Sequence, residues 1–192
     1  MTTRYAALLA AVNVGKRQVP MADLRQLLAD LGYGDARTYL ASGNAVFDAG
    51  DSRDGGGAED DEPAIAARIS AALKDRFGFE VPCVVRTSEY LSAVIEACPF
   101  PADDVAGKHL HATFYAEPVD TDRYADIDRE ALLPEEFRFG DRVMYLYLPG
   151  GMGRSALAAA LSKPATRTKG VVATGRNWNT VKALAQLTAG SA

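Results

Sequence analysis

Phe137-Arg138-Phe139-Gly140-Asp141-Arg142-Val143-Met144-Tyr145-Leu146-Tyr147-Leu148 is the stretch that decides the fold. Two runs rich in aromatic and other apolar residues flank a Gly-Asp pair, so the stretch reads as a β-hairpin. Upstream of it, His109 to Tyr115 reads as a strand and Asp122 to Leu132 as a helix. Downstream, Ser155 caps a helix reaching Leu161, Gly170 to Thr174 reads as a strand, and Asn177 to Thr188 as a further helix. A hairpin held between two strand–helix pairs is the split βαβ, or βαββαβ, arrangement of a ferredoxin-like sheet.

The preceding residues repeat that order. Tyr5 to Val12 is an apolar strand, and Met21, Leu24, Leu27, Leu28 and Leu31 recur at helical spacing after Pro20. Arg37 to Ala41 and Ala45 to Asp48 form a hairpin around Ser42-Gly43-Asn44. Pro63 opens a helix with Ile65, Ile69, Leu73 and Phe77 inward; Glu80 to Arg86 is a strand, and Ser88 caps a helix running to Ala97. The expected fold is therefore α+β: two tandem ferredoxin-like halves, residues 1–100 and 101–192, each an antiparallel sheet with a trailing helix. The two halves share element order without visible sequence similarity.

Charge is unevenly spread over the 192 residues. The net charge is −4, yet from Arg142 onward there are seven Lys/Arg and no Asp/Glu, so the second half carries a basic C-terminal part. Such asymmetry suits contact with an anion, or attraction between the two parts of the chain. Residues 48–62 hold seven acids, one arginine and three consecutive glycines, and are expected to be a mobile surface loop. No run of 18 apolar residues exists to span a membrane. Cys83 and Cys98 offer neither a disulfide framework nor a metal spacing, so free thiols in a reducing cytoplasm are expected.

The chemistry-bearing residues gather at one sheet edge. The third and fourth strands of a ferredoxin-like sheet run the same way, with the first between them. Their C-terminal ends then lie about 10 Å apart, two strand spacings. In the second half each end opens a helix, one through Gly150-Gly151-Met152-Gly153-Arg154-Ser155 and the other through Gly175-Arg176-Asn177. Helix starts present unsatisfied N–H groups and partial positive charge. Gly151 and Gly153 admit close approach of an anion, Arg154 and Arg176 suit bidentate contact, and Ser155, Asn177 and Asn179 add neutral hydrogen bonds. The expected ligand is a small anionic or phosphorylated molecule. The alternative reading makes Ser155 and Asn177 ordinary caps. Trp178 shares helical spacing with Val181 and Ala185, which marks it as a core anchor.

A second functional reading concerns a sheet face. His109 and His111 alternate on one strand, and Tyr145 and Tyr147 on its neighbour; if these faces coincide, single-stranded nucleic acid could stack there. That reading is the weaker one, since the RNA-binding consensus is absent and the net charge is negative; a purely structural or interaction role is the third. The glycine run lacks P-loop spacing and the dinucleotide fingerprint, so no cofactor is expected. Two histidines without further ligands propose no metal, and no catalytic constellation is recognisable. Oligomeric state is not set by any of these features.

Asn13-Val14-Gly15, Val19-Pro20-Met21, Tyr39-Leu40-Ala41-Ser42-Gly43-Asn44-Ala45-Val46-Phe47, Leu146-Tyr147 with Gly153-Arg154-Ser155, and Arg176-Asn177-Trp178-Asn179-Thr180 together resemble the bacterial family called domain of unknown function 1697. The resemblance spans nearly the whole chain. It implies a small, soluble α+β protein and brings no activity with it. Ser155-Ala156-Leu157 stands where the family pattern usually reads Ser-Lys-Leu, so one basic residue of the pattern is missing beside the glycine run.

Overall fold

β1 (Thr3–Leu9) is apolar on both faces: Ala7 and Leu9 join one core, while Ala6 and Leu8 on the other face are equally buried. A strand with no polar face belongs in the middle of a sheet covered on both sides. The computed structural model describes residues 3–49, 61–163 and 170–190. Most of the expected acidic loop, residues 50–60, lies outside them. The chain divides into two compact units, Met1–Ser92 with Ala183–Ala192, and Ala93–Lys182. The divide thus falls inside each trailing helix, where the sequence reading set it at 100/101.

In the first unit β1 is followed by α1 (Met21–Asp30), the hairpin β2 (Gly34–Thr38) and β3 (Asn44–Ala49), α2 (Glu62–Phe77) and β4 (Cys83–Thr87). The strands lie in the order β2-β3-β1-β4, all neighbours antiparallel. This is the ferredoxin-like arrangement. Leu24, Leu27 and Leu28 of α1 and Ile65, Ile69 and Leu73 of α2 pack on the sheet face carrying Leu9, Phe47 and Val85. Helix α2 starts where Asp61 Oδ1 accepts from Ala64 N (2.9 Å) and stops at Gly78, whose φ of 76° closes the last turn. β1 ends earlier than expected because Ala11 and Asn13 take left-handed backbone, φ 54° and 56°, which a strand cannot continue through. The Asn13 side chain holds this turn, accepting from Val19 N (2.9 Å) and donating to Ala41 O across the neighbouring loop.

The second unit has β5 (Leu110–Tyr115), the hairpin β6 (Glu136–Gly140) and β7 (Val143–Tyr147), α4 (Ala156–Leu161) and β8 (Ala173–Asn177), in the order β6-β7-β5-β8. The trailing helices are α3 (Ser88–Glu96) and α5 (Trp178–Ala189). Two expectations are corrected here. The helix expected over Asp122–Leu132 is only a 3-10 turn, Thr121–Tyr124, followed by further turns. Asp128 bonds the backbone instead: its Oδ1 accepts from Ala131 N (3.1 Å), a local bond that competes with helix. Tyr124, Ile127 and Leu132 still reach the core, so the segment covers the sheet without being helical. And β8 runs three residues beyond Thr174, since β5 offers Thr113, Ala112 and His111 as partners to Gly175, Arg176 and Asn177.

Candidate functional site

The expected edge forms at the level of the backbone. Tyr147 at the end of β7 pairs with Leu110, and Asn177 at the end of β8 pairs with His111, so both ends flank the start of β5. Side chains then separate the candidate residues. Ser155 is buried and caps α4, its Oγ accepting from Ala158 N (2.8 Å) and donating to Glu135 Oε2 (3.0 Å). Leu157 N donates to the same carboxylate oxygen (2.7 Å). The start of α4 is therefore already occupied by an anion, the chain's own Glu135.

Arg176 is 7% exposed, and its Nη1 donates to Thr174 Oγ1 (2.7 Å) and Gly175 O (2.8 Å). In the ladder Arg176 stands opposite Ala112, and Ala112 opposite Tyr145, so all three share a face. The core beneath α4 uses the other face, with Tyr115, Met144 and Leu146 against Leu157. Arg176 thus does not meet Ser155. Asn177 caps α5, its Oδ1 accepting from Thr180 N (2.9 Å) and Thr180 Oγ1 (3.1 Å). Asn179 is exposed and lies against Gly107: a Cβ built there would meet Asn179 Oδ1 at 2.0 Å. Trp178 is 1% exposed and packs near Tyr145, ring centroids 6.2 Å apart, as a core anchor should.

What remains open is the turn before α4. Gly151 has a φ of 81° and ψ of 156°, a conformation that calls for glycine, and a Cβ at Gly153 would meet nothing within 4 Å. Arg154 is exposed, and among the described residues its guanidinium has no hydrogen-bond or ion-pair partner.

The histidine and tyrosine platform does not assemble. His111 pairs with Leu146, between Tyr145 and Tyr147, so His111 and the two tyrosines point to opposite faces. Tyr145 is buried and donates its hydroxyl to Val94 O (2.9 Å). His111 is 9% exposed, its Nδ1 has no hydrogen-bond partner among the described residues, and burial, then the neighbouring His109, push its pKa below the usual histidine value. Among the described residues no group of three or more His, Cys, Asp or Glu could hold a metal ion. Nor does any described helix have the length and apolarity to cross a membrane.

The sequence reading missed a cavity of about 370 Å³ between α4 and the sheet. Thr113 and Tyr115 of β5, Met144 and Leu146 of β7, Tyr124, Met152, Ala158, Leu161 and Ala173 line it. Tyr115 and Tyr124 join hydroxyls across its wall at 2.9 Å. The alternation of Thr113 and Tyr115 placed both on one face in advance, but Tyr124 was assigned to a helix that does not form.

The family model described as "Protein of unknown function (DUF1697)" matches residues 1–145. Among solved structures the chain resembles the conserved bacterial protein SP0830 from Streptococcus pneumoniae, with TM-score 0.74 and 24% identity over 99% of this chain and 100% of that one. At this identity the likeness concerns the fold. No curated protein matches the chain.

Proposed function

Because the chain belongs to the family described as Protein of unknown function (DUF1697), we propose its function from the second unit itself: a binding module for a small anion-bearing ligand, its body in the cavity under α4 and its charge toward Arg154. One observation carries this reading. Met152, in the same 3-10 turn as Arg154, lines the cavity, so an exposed guanidinium without a partner among the described residues stands two residues along the chain from its wall. The volume of about 370 Å³ lies within the range of small-molecule sites. Gly151 and Gly153 leave the backbone beside Arg154 accessible to an anion. Ser155 and Asn177 serve as caps in this reading, and Arg176 and Asn179 stay outside the site. The two thiols, Cys83 and Cys98, are unbridged, which supports residence in a reducing cytoplasm.

Thermal-shift and calorimetric titration with aryl and alkyl carboxylates and phosphates tests the proposal. Members of the panel should raise the melting temperature. Arg154→Ala should weaken the anions about tenfold through loss of a charge-assisted bond while sparing uncharged isosteres. Ala158→Phe, which fills the cavity, should weaken both. Binding indifferent to Ala158→Phe, or no binding by any member, overturns it.

A further inference from the structure

A notch in the sheet face adjoins the cavity. His111 pairs with Asn177, and Thr113 with Gly175, across β5 and β8, so the four positions form one block on one face. Thr113 also lines the cavity, which makes the block its continuation. Gly175 is exposed in mid-strand, and its backbone lies outside the left-handed region that calls for glycine. Among the described residues only Thr113 Oγ1, at 3.7 Å, would lie within 4 Å of a Cβ built there. A glycine that the strand conformation does not require leaves room for another group to approach the backbone.

Three polar groups around the notch lack partners. His111 is 9% exposed, and neither of its ring nitrogens has a hydrogen bond among the described residues. A polar group buried in that state costs stability unless something else meets it. The Thr113 hydroxyl is likewise without a partner among the described residues. Asn177 commits Oδ1 to Thr180, accepting from its N at 2.9 Å and its Oγ1 at 3.1 Å. The bond from a backbone N–H fixes that end as the oxygen, so the end without a partner among the described residues is the donor Nδ2. None of the four positions carries a charge, since burial, then His109, keeps the His111 imidazole neutral at pH 7 and above. A carboxylate or phosphate here would lose its hydration without a counter-ion, a heavy cost that an uncharged group escapes. The wall thus calls for an acceptor facing Asn177 Nδ2, while the Thr113 hydroxyl and the bare nitrogen of a neutral imidazole can each accept from a donor.

Resting on the site proposed above, we infer that the ligand carries a primary carboxamide seated in the Gly175 notch, its oxygen accepting from Asn177 Nδ2 and its two N–H groups donating to Thr113 Oγ1 and His111. Any negative charge on the same molecule stays toward Arg154. The matched uncharged probes are benzamide and acetophenone, which share the ring and the carbonyl and differ by NH2 against CH3. Titrated into the full chain and followed by backbone amide shifts of β5 and β8, benzamide should bind about tenfold tighter than acetophenone, the scale of one or two neutral hydrogen bonds. Thr113→Val, close in shape, should reduce that preference about threefold. Asn177→Asp keeps an oxygen for the Thr180 cap and removes the donor, so it should weaken both probes. Gly175→Val fills the notch with a residue that suits a strand, so it should weaken both while the melting temperature holds or rises. Equal binding of the two probes to the natural chain, or binding of both that is indifferent to Gly175→Val and Asn177→Asp, overturns the inference and leaves the binding module standing. Failure of both probes while carboxylates or phosphates still bind does the same. Failure of every probe overturns both readings together.

Discussion

Arg86 and Arg176 hold the same post in the two halves. Each is the last but one residue of a strand that hands over to a trailing helix, and each stands opposite an alanine of the first strand, Ala6 or Ala112. Both are buried and donate Nη1 to the carbonyl of the preceding residue, at 2.7 Å and 2.8 Å. A small partner leaves room for a long cationic side chain on a covered sheet face. This likeness was not visible in sequence, because an isolated arginine carries no sign of burial. The role of Trp178 was legible, since its helical spacing is a local property. That of Ser155 was half legible: the cap follows from residue type, but Glu135, 20 residues earlier, is brought to it only by the fold. Replacing Trp178 with alanine should cost about 3–5 kcal/mol in denaturant unfolding, and Ser155→Ala about 1 kcal/mol. His111 sets a pH dependence. Its folded pKa is depressed, so its contribution is complete above the unfolded value of about 6.5 and is lost as pH falls through the folded one. Melting temperatures taken from pH 8 downward should decline below that point, and less steeply in His111→Gln.

Elements were legible where periodicity and caps agree. α1 and α2 show both an apolar face and clear boundaries, and each forms within a residue of its expected start. The segment 122–132 shows the opposite case: its apolar residues suit a core, while Asp128 holds a local turn, and the turns prevail. Two glycines separate strain from crowding in the same way. Gly78 closes α2 with φ 76° and open space around a built Cβ, so Gly78→Ala should cost about 1 kcal/mol of strain alone. Gly43 in the β2–β3 turn has φ 81°, and its Cβ would lie 2.5 Å from Val12 Cγ2 and 2.9 Å from Leu9 Cβ. Gly43→Ala should therefore cost clearly more, above about 2 kcal/mol, by overpacking added to strain. Chemical denaturation of the two variants side by side checks the order.

At the scale of the molecule, element order was enough to give both sheets, because a split βαβ sequence leaves few pairings open. It could not give the compact units. The first is completed by Ala183–Ala192, and Arg4 of β1 donates Nη1 to Leu187 O at 3.1 Å. Leu184, fully buried, lies in that segment. Leu184→Ala should cost about 2–5 kcal/mol, and amide exchange should quicken in β1 more than in β7, although β1 lies far away in sequence. The same connectivity has a meaning in time. A ribosome adds roughly 5–20 residues per second, so the segment that finishes the first unit emerges on the order of 5–20 seconds after Ser92. During that interval the strands of the first sheet exist without their closing helix. N-terminal folding ahead of the remainder, the usual order for tandem units, packs α1 and α2 on the first sheet but leaves the unit incomplete until that segment arrives. Its exposed intermediate is a natural client for whatever holdase works at the exit tunnel, and slower translation of the second half should raise the yield lost to aggregation.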